Sequence, residues 1–499
     1  FGGFTPAELN AEQQVYGVIS PSTYTINIAN VFSTSAVTGG GAAVVATYQI
    51  NTGLDVYVIG TGWGAGVWSR GGWGSGTTAT AGVGQQLRLW SNDNFGQNLV
   101  IAPRNGAIYY WLDSTGVTAR AQSLSFLSTT AGYDGQFVPT QTLEVSASSI
   151  QRFVIAFGAN PYDPFDANTD FDPMLVRWSD QENPYQWVPD ITNQSGEFRL
   201  SHGSSIVTSI NTRQETLVWT DSAIYSMQYL GAPYVWKFEI LMDNISIMSP
   251  NSAITINNVT YWMGDGKFYQ YSGRVETLPC SLRQYIFDDI NKDQAYQVFA
   301  GGNEGYNEVW WFYCSNGSNT VDKYVIYNYL DRVWYYGSMA RTAWLDSGIR
   351  PYPMAANYDY RVLYHESNVD DVAGLTPLPI NAYVQSSDFD IGDGHNFGFV
   401  WRILPDVNFN GSNVNQPFVT MTIKPRQNSG APYGFSNSPS VRSYDNFSMQ
   451  GTYNIQEFDG QVYTRLRGRQ MAFRIESNTL GTAWQLGTPR IDIRPDGRR

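Results

Sequence analysis

Few residues in this sequence are suited to acid–base or nucleophilic chemistry. It holds three histidines, His202, His365 and His395, and two cysteines, Cys280 and Cys314. His202 lies in residues 200–205, LSHGSS, with a hydroxyl two residues on, so a Ser-His-Asp relay is the chemistry to test. No G-x-S-x-G elbow accompanies it, and Asp and Ser occur throughout the chain, so nothing singles out a nucleophile or an orienting acid. His365 ends an apparent strand and reads as a packed or rim histidine, and His395 lies in a Gly/Asp turn, DIGDGHNFG. Three scattered histidines and two cysteines give no zinc spacing. The chain is expected not to be an enzyme and to carry no cofactor.

The carboxylates offer two weaker patterns. Asp166, Asn168, Asp170 and Asp172 alternate as the oxygen ligands of a calcium loop do. The glycine at the sixth position and the glutamate at the twelfth are missing, so the alternative is a solvated acidic loop running from Asp163 to Asp172. A carboxylate pair for glycoside hydrolysis could hide among the 43 Asp and Glu, but no spacing selects one. Exposed Trp and Tyr on hairpin loops would suit sugar stacking; the competing role is packing within the core and at interfaces.

Arginine is distributed unevenly. Eight arginines fall between Arg465 and Arg499 with no lysine among them, in a chain of net charge −13. Guanidinium forks have three uses here: salt bridges inside the last domain, phosphate contacts to DNA, or paired contacts with carboxylates of a neighbouring subunit. The acidic remainder of the chain favours the third, with Arg465, Arg467, Arg469, Arg490 and Arg494 as interface residues. Residues 60–84, GTGWGAGVWSRGGWGSGTTATAGVG, lack the GK[ST] ending of a phosphate loop. Trp63, Trp68 and Trp73 at glycine-rich spacing read as an arm contacting a subunit, or as an ordinary surface loop.

The elements that would position these residues are short strands. ETLVWTDSAIYSMQY at 215–229 reads strand, polar turn, strand, and variants recur at 99–111, 259–271 and 308–336, with a looser copy at 358–365. A hairpin that cannot bury its face alone, repeated at roughly 40–50 residues, predicts a β-propeller over 86–371. Residues 1–85 read as an N-terminal platform or arm that opens with a short helix over 6–18, capped by Thr5. Residues 372–499 open with a Pro-rich seam, VAGLTPLPI (372–380), that reads as a linker, and then alternate like sandwich strands before the Arg-rich end. The fold class expected is all-β, a propeller with additional β-sandwich-like domains. Composition agrees: 15% of residues are aromatic and 15% charged, where about 25% charged is usual.

The acidity argues against a duplex-binding protein, and no apolar run is long enough for a membrane helix. Two thiols in 499 residues do not make a disulfide framework and are expected to stay reduced. Phe1 is preceded by no Met and followed by no signal peptide, so the start reads as processed or truncated.

Five phrases, VRWSDQENPYQW (176–187), LRLWSNDNFGQNLVIAPRNGAIYYW (87–111), GTGWGAGVW (60–68), RLRGRQMAFRIES (465–477) and WQLGTPRIDIRPDGRR (484–499), resemble the tail tubular, or nozzle, proteins of short-tailed bacteriophages. That resemblance implies a hexameric tube below the portal and adaptor, a side attachment for fibres or spikes, and genome DNA leaving through the lumen without specific binding. It implies a virion component assembled in the host cytoplasm, and it brings no catalytic residues. A lumen through which DNA must slide is expected to be acidic, with Asp163, Asp166, Asp170 and Asp172 as lumen or gate residues and the arginines turned towards protein. The other function considered is a carbohydrate-binding or polysaccharide-cleaving propeller.

Overall fold

The computed structural model describes residues 15–20, 23–26, 89–433 except 149, 349, 375 and 393, and 450–498. Trp63, Trp68 and Trp73 lie outside the described residues, as do residues 5–14 of the expected helix. The chain divides into two compact units, Phe1–Gly53 and Leu54–Arg499. In the first, β1 (Val15–Ser20) pairs antiparallel with β2 (Thr23–Ile26). The helix expected to reach residue 18 is therefore replaced at its end by strand: Val15, Tyr16, Val18 and Ile19 are β-branched or aromatic and outweigh the N-terminal capping signal.

The second unit is built of antiparallel meanders. Sheet I is β3 (Trp90–Phe95), β4 (Asn98–Pro103), β5 (Tyr109–Trp111) and β6 (Gln122–Ser123). Sheet II is β7 (Thr142–Ala147), β8 (Val154–Ala159), β9 (Asp172–Trp178) and β10 (Gly196–Arg199). Sheet III is β11 (Ile206–Asn211), β12 (Thr216–Thr220), β13 (Ala223–Tyr229) and β14 (Trp236–Asp243). Sheet IV is β15 (Ala253–Ile256), β16 (Val259–Met263), β17 (Phe268–Tyr271) and β18 (Val275–Leu278). Sheet V is β19 (Phe299–Asn303), β20 (Glu308–Tyr313), β21 (Lys323–Asn328) and β22 (Val333–Ser338). Sheet VI has three strands, β23 (Ala343–Leu345), β24 (Met354–Ala356) and β25 (Val362–Tyr364).

Packing between consecutive sheets follows from sequences such as EVWWFY. A strand covered on both faces reads as an unbroken apolar run, with alternate residues facing opposite neighbours. In β20, Val309, Trp311 and Tyr313 join the core shared with sheet IV, while Trp310 and Phe312 join Trp344 of sheet VI. Sheet II does the same: Val145, Ala147, Val154 and Ala156 pack on sheet I, and Ile155, Phe157 and Val176 pack on sheet III. Sheets III and IV meet through Leu217, Trp219, Ile224, Trp262 and Tyr269, with Trp219 and Trp262 edge to face at 5.3 Å. The hairpins expected at 99–111, 215–229, 259–271 and 308–336 are all strand pairs, and the copy at 358–365 contributes one short strand, β25. Two short helices, α1 (Leu124–Thr130) and α2 (Arg283–Asp289), interrupt the series.

The Pro-rich seam is not structureless: β26 (Asp370–Asp371) pairs with β27 (Leu378–Pro379). Beyond it, β28 (Ala382–Gln385), β34 (Gln470–Ser477), β31 (Phe418–Arg426) and β32 (Gly451–Gln456) form one sheet, in that order. A second contains β33 (Val462–Gly468), β29 (Gly398–Leu404) and β36 (Arg490–Pro495), and β30 (Val407–Asn408) pairs with β35 (Gln485–Leu486). Val400 and Ile403 of one sheet share a core with Val419, Met421, Ile423, Phe473 and Ile475 of the other, a two-layer β-sandwich.

Both thiols are free, Cys314 buried and Cys280 half-buried. Burial pushes the Cys280 thiol up to about 11 and that of Cys314 up to about 12. Iodoacetamide at pH 8 is therefore expected to leave both unmodified in the folded protein and to modify both in guanidinium; fast labelling of the folded protein would contradict this.

Candidate functional sites

The first strands of all six sheets, β3, β7, β11, β15, β19 and β23, contribute residues to the lining of one cavity of about 600 Å³. Trp90, Ser91, Asn92 and Asp93 of β3 all line it and alternate in exposure: Ser91 and Asp93 are half-buried, while Trp90 and Asn92 are exposed. The charges of the lining are engaged by neighbouring sheets. Asp93 Oδ2 accepts from Ser146 Oγ at 3.0 Å and from the Ala147 amide at 2.9 Å, tying sheet I to sheet II. Glu144 accepts from the Ser209 amide at 3.0 Å and from Ser209 Oγ at 2.7 Å, tying sheet II to sheet III. Burial pushes the Glu144 carboxyl up, opposed by those hydrogen bonds and by the Arg104 charge. Arg104 reaches across from sheet I and donates from Nη1 to the carbonyl of Val207 at 2.9 Å and from Nη2 to that of Ile206 at 3.4 Å; burial lowers its pKa. No sequence pattern marks these three. Asp93 lies in a polar strand, WSNDNF, Glu144 in a mixed one, TLEVSA, and Arg104 just after β4.

A second carboxylate group joins sheets V and VI. Glu308 Oε2 accepts from Trp310 Nε1 at 3.0 Å, and the Asn303 amide lies 3.5 Å from both Glu308 Oε2 and Glu366 Oε1. Burial, then the charge of Glu366, pushes Glu308 up to about 7, against the hydrogen bonds from Trp310 and Asn303. Beside it, the His365 ring lies 4.7 Å from that of Trp344, and its Nε2 accepts from Arg341 Nε at 3.1 Å. Burial and then the Arg341 charge hold His365 down to about 4.

The third site is the outer face of the β33–β29–β36 sheet. Leu466, Val400 and Ile493 point inward at matched register, which turns Tyr463, Arg465 and Arg467 outward on β33 and Arg490, Asp492 and Arg494 outward on β36. Trp401, at the bulge of β29, lies between the guanidinium groups of Arg402 at 4.7 Å and Arg494 at 4.8 Å. Arg467 pairs with Asp496 at 2.5 Å and stacks on Phe397 at 4.1 Å, with Arg469 4.9 Å from the same ring. Arg402 donates to Asp492 at 2.7 Å. Arg465, Arg490 and Arg494 are exposed and have no carboxylate partner among the described residues. The five arginines named from sequence thus divide into two held within the chain and three open to a partner.

The carboxylates of the acidic loop make local contacts. Asp163 Oδ1 accepts from the Phe165 amide at 2.9 Å, Asp166 Oδ1 from the Asn168 amide at 2.8 Å, and Asp172 Oδ1 from the Met174 amide at 2.9 Å. Asp172 also pairs with Arg199 at 2.6 Å. Asp163, Asp166 and Asp172 thus close local turns, Asp170 is exposed in the same loop, and no metal-holding group of three His, Cys, Asp or Glu occurs among the described residues. None of the four aspartates lines the cavity. His202 Nδ1 meets Ser201 Oγ at 3.0 Å, but Asp221 accepts from the Ser204 amide instead, so no relay is assembled. Within VRWSDQENPYQW, Arg177 is buried and donates to the carbonyls of Asn160, Phe137 and Trp187 at 2.9, 3.0 and 3.2 Å.

No family model and no curated protein matches the chain. Among solved structures, Hsv2 of Kluyveromyces lactis is similar over 55% of this chain and 72% of its own, at 10% identity and a TM-score of 0.30. The CNH domain of AfRom2 is similar over 58% of this chain and 84% of its own, at 11% identity and a TM-score of 0.31. The extracellular domain of the one-component system BT4673 of B. thetaiotaomicron is similar over 74% of this chain and 46% of its own, at 11% identity and a TM-score of 0.32. Likeness at this level carries nothing about ligands or activity.

Proposed function

We propose that this protein is a non-enzymatic structural subunit of a homo-oligomeric ring, the tail nozzle of a short-tailed bacteriophage, with the six meanders closed into a six-bladed propeller. The observation that carries the ring is the outer face of the β33–β29–β36 sheet. Three exposed arginines there have no carboxylate partner among the described residues, they flank an aromatic surface of Trp401 and Tyr463, and the chain has a net charge of −13. A second copy supplies the missing carboxylates, and arginine with aromatic residues is the composition enriched at interface centres. The phage assignment rests on the resemblance of the five sequence phrases. In this reading the ring is a hexamer in the virion tail, assembled in the host cytoplasm, joined to an adaptor and to a fibre or spike, with DNA passing an acidic lumen it does not bind.

Mass in solution tests the ring. The native chain is expected to assemble, with about six copies, at micromolar concentration, and the variant R465E/R490E/R494E to remain folded and monomeric. A native chain that is monomeric, or a triple variant that assembles as well as the native chain, overturns the proposal. The three sites are solvent-exposed, so folding is expected to change little, about 0.5 kcal/mol or less for each.

A further inference from the structure

We infer that the cavity at the junction of the six sheets is a binding site for a neutral sugar, a single pyranose or a short glycan end. The inference is independent of whether the chain forms a ring.

The cavity holds about 600 Å³, within the range of small-molecule sites. Its charges are already used. Asp93 and Glu144 are occupied by hydroxyl and amide donors of the adjoining sheets, and Arg104 by main-chain carbonyls. An ionic ligand would have to displace those partners. What remains is neutral and of two kinds. Trp90 is 44% exposed, and its side chain makes no aromatic contact or hydrogen bond to another described residue, so part of its indole is open to a ligand. Trp344, which also lines the cavity, is committed: its indole donates to the Gly302 carbonyl at 2.6 Å and stacks on Trp310 at 5.1 Å. The carboxamides of Asn92 and Asn251 are exposed and make no hydrogen bond to a described residue. Each offers two N–H donors and an acceptor oxygen.

A partly exposed indole and uncharged amides lining the same cavity match the two surfaces of a pyranose. The axial C–H face lies on the aromatic ring, and the equatorial hydroxyls both donate to and accept from carboxamides. Phosphates and nucleotides would seek a free cation that the lining does not offer. Apolar ligands would leave the amides unpaired, at a cost of about 1–3 kcal/mol for each buried group.

The test uses the full chain with methyl glucoside, methyl galactoside, methyl rhamnoside and N-acetylglucosamine as neutral probes, and glucuronic acid and N-acetylneuraminic acid as charged ones. Saturation-transfer NMR and calorimetry read binding. At least one neutral probe is expected to bind with a dissociation constant of about 1 mM. W90A is expected to weaken it about tenfold, W90F to restore most of the loss, and N92A/N251A to weaken it about tenfold through the amides alone. The inference is overturned by any of three results: no neutral probe binds, a charged probe binds more tightly than every neutral one, or W90A and N92A/N251A both leave binding unchanged. The amide variant does not depend on a core residue, so a folding defect in W90A does not blunt the test.

Discussion

Trp311→Ala is expected to destabilise the second unit by about 3–5 kcal/mol, a large share of the about 5–15 kcal/mol that holds a typical domain together. Trp311 is fully buried between sheets IV and V, with Phe268 at 4.9 Å and Trp334 at 6.1 Å from its ring. Its indole nitrogen also donates to the Ser252 carbonyl at 3.0 Å, across the boundary between the two sheets. Alanine leaves a cavity where the ring was and removes one of two hydrogen bonds to that carbonyl, which keeps the Met263 amide at 3.3 Å. The lost bond adds about 0.5–1 kcal/mol to the cavity cost. Trp311→Phe keeps most of the volume and removes only the hydrogen bond and the smaller ring, so it should fall between the two. Guanidinium unfolding followed by near-ultraviolet circular dichroism measures the difference. A change below about 1 kcal/mol for the alanine variant would mean that sheets IV and V do not depend on each other for stability.

The same residue shows what sequence can reveal here. Strand content was legible because the apolar runs are short, rich in β-branched and aromatic residues, and closed by turn residues. The unbroken apolar run within β20, EVWWFY, is the pattern of a strand covered on both faces, and Trp310 and Trp311 are buried against different neighbours. The N-terminal strand β1 was not legible. Capping residues at 5–6 announced a helix, while the β-branched residues after position 14 followed a different preference. The two short helices were missed because seven residues are too few to establish a 3.6-residue period. The hairpin inside the Pro-rich seam was missed because only two residue pairs define it.

Site residues fared differently. The arginine cluster was visible as composition, but composition does not separate Arg467, held by Asp496, from Arg465, which lies on the same face two residues earlier with no carboxylate partner among the described residues. That separation needs the register of β33 on β29 and the position of the C-terminal turn. The cavity was invisible because its lining is drawn from six short strands, the first and last more than 200 residues apart in sequence. Glu308 and Glu366 lie 58 residues apart in sequence and meet only because sheet VI packs on sheet V.

That meeting carries the second large effect, a loss of stability with rising pH that Glu308→Gln removes. Glu308 has its carboxyl pushed up to about 7 by burial and then by Glu366, against an ordinary value of 4.5. A carboxyl raised in the folded state binds more protons there than in the unfolded chain. Its contribution is therefore fully present below about 4.5 and is lost as pH rises towards 7. The full shift would correspond to about 3 kcal/mol, but Glu308 is partly open to solvent, and screening reduces the expected effect to about 1–2 kcal/mol. His365, next to Glu366, acts in the opposite sense. Held down to about 4, it is neutral when folded, so its contribution grows as pH rises from 4 to 6.5. Asp371 and Arg341 also bear on that ring, and Tyr324 lies near both glutamates. A simple pH titration of the native protein therefore mixes opposing slopes. The difference between native and E308Q isolates one of them, because every other group is common to both. E308Q is expected to match the native protein at pH 5 and to exceed it by about 1–2 kcal/mol at pH 8, read as denaturant midpoints at constant ionic strength. A difference that stays constant between pH 5 and pH 8 would show that Glu308 titrates as an exposed carboxylate and that the contact between sheets V and VI does not respond to its charge.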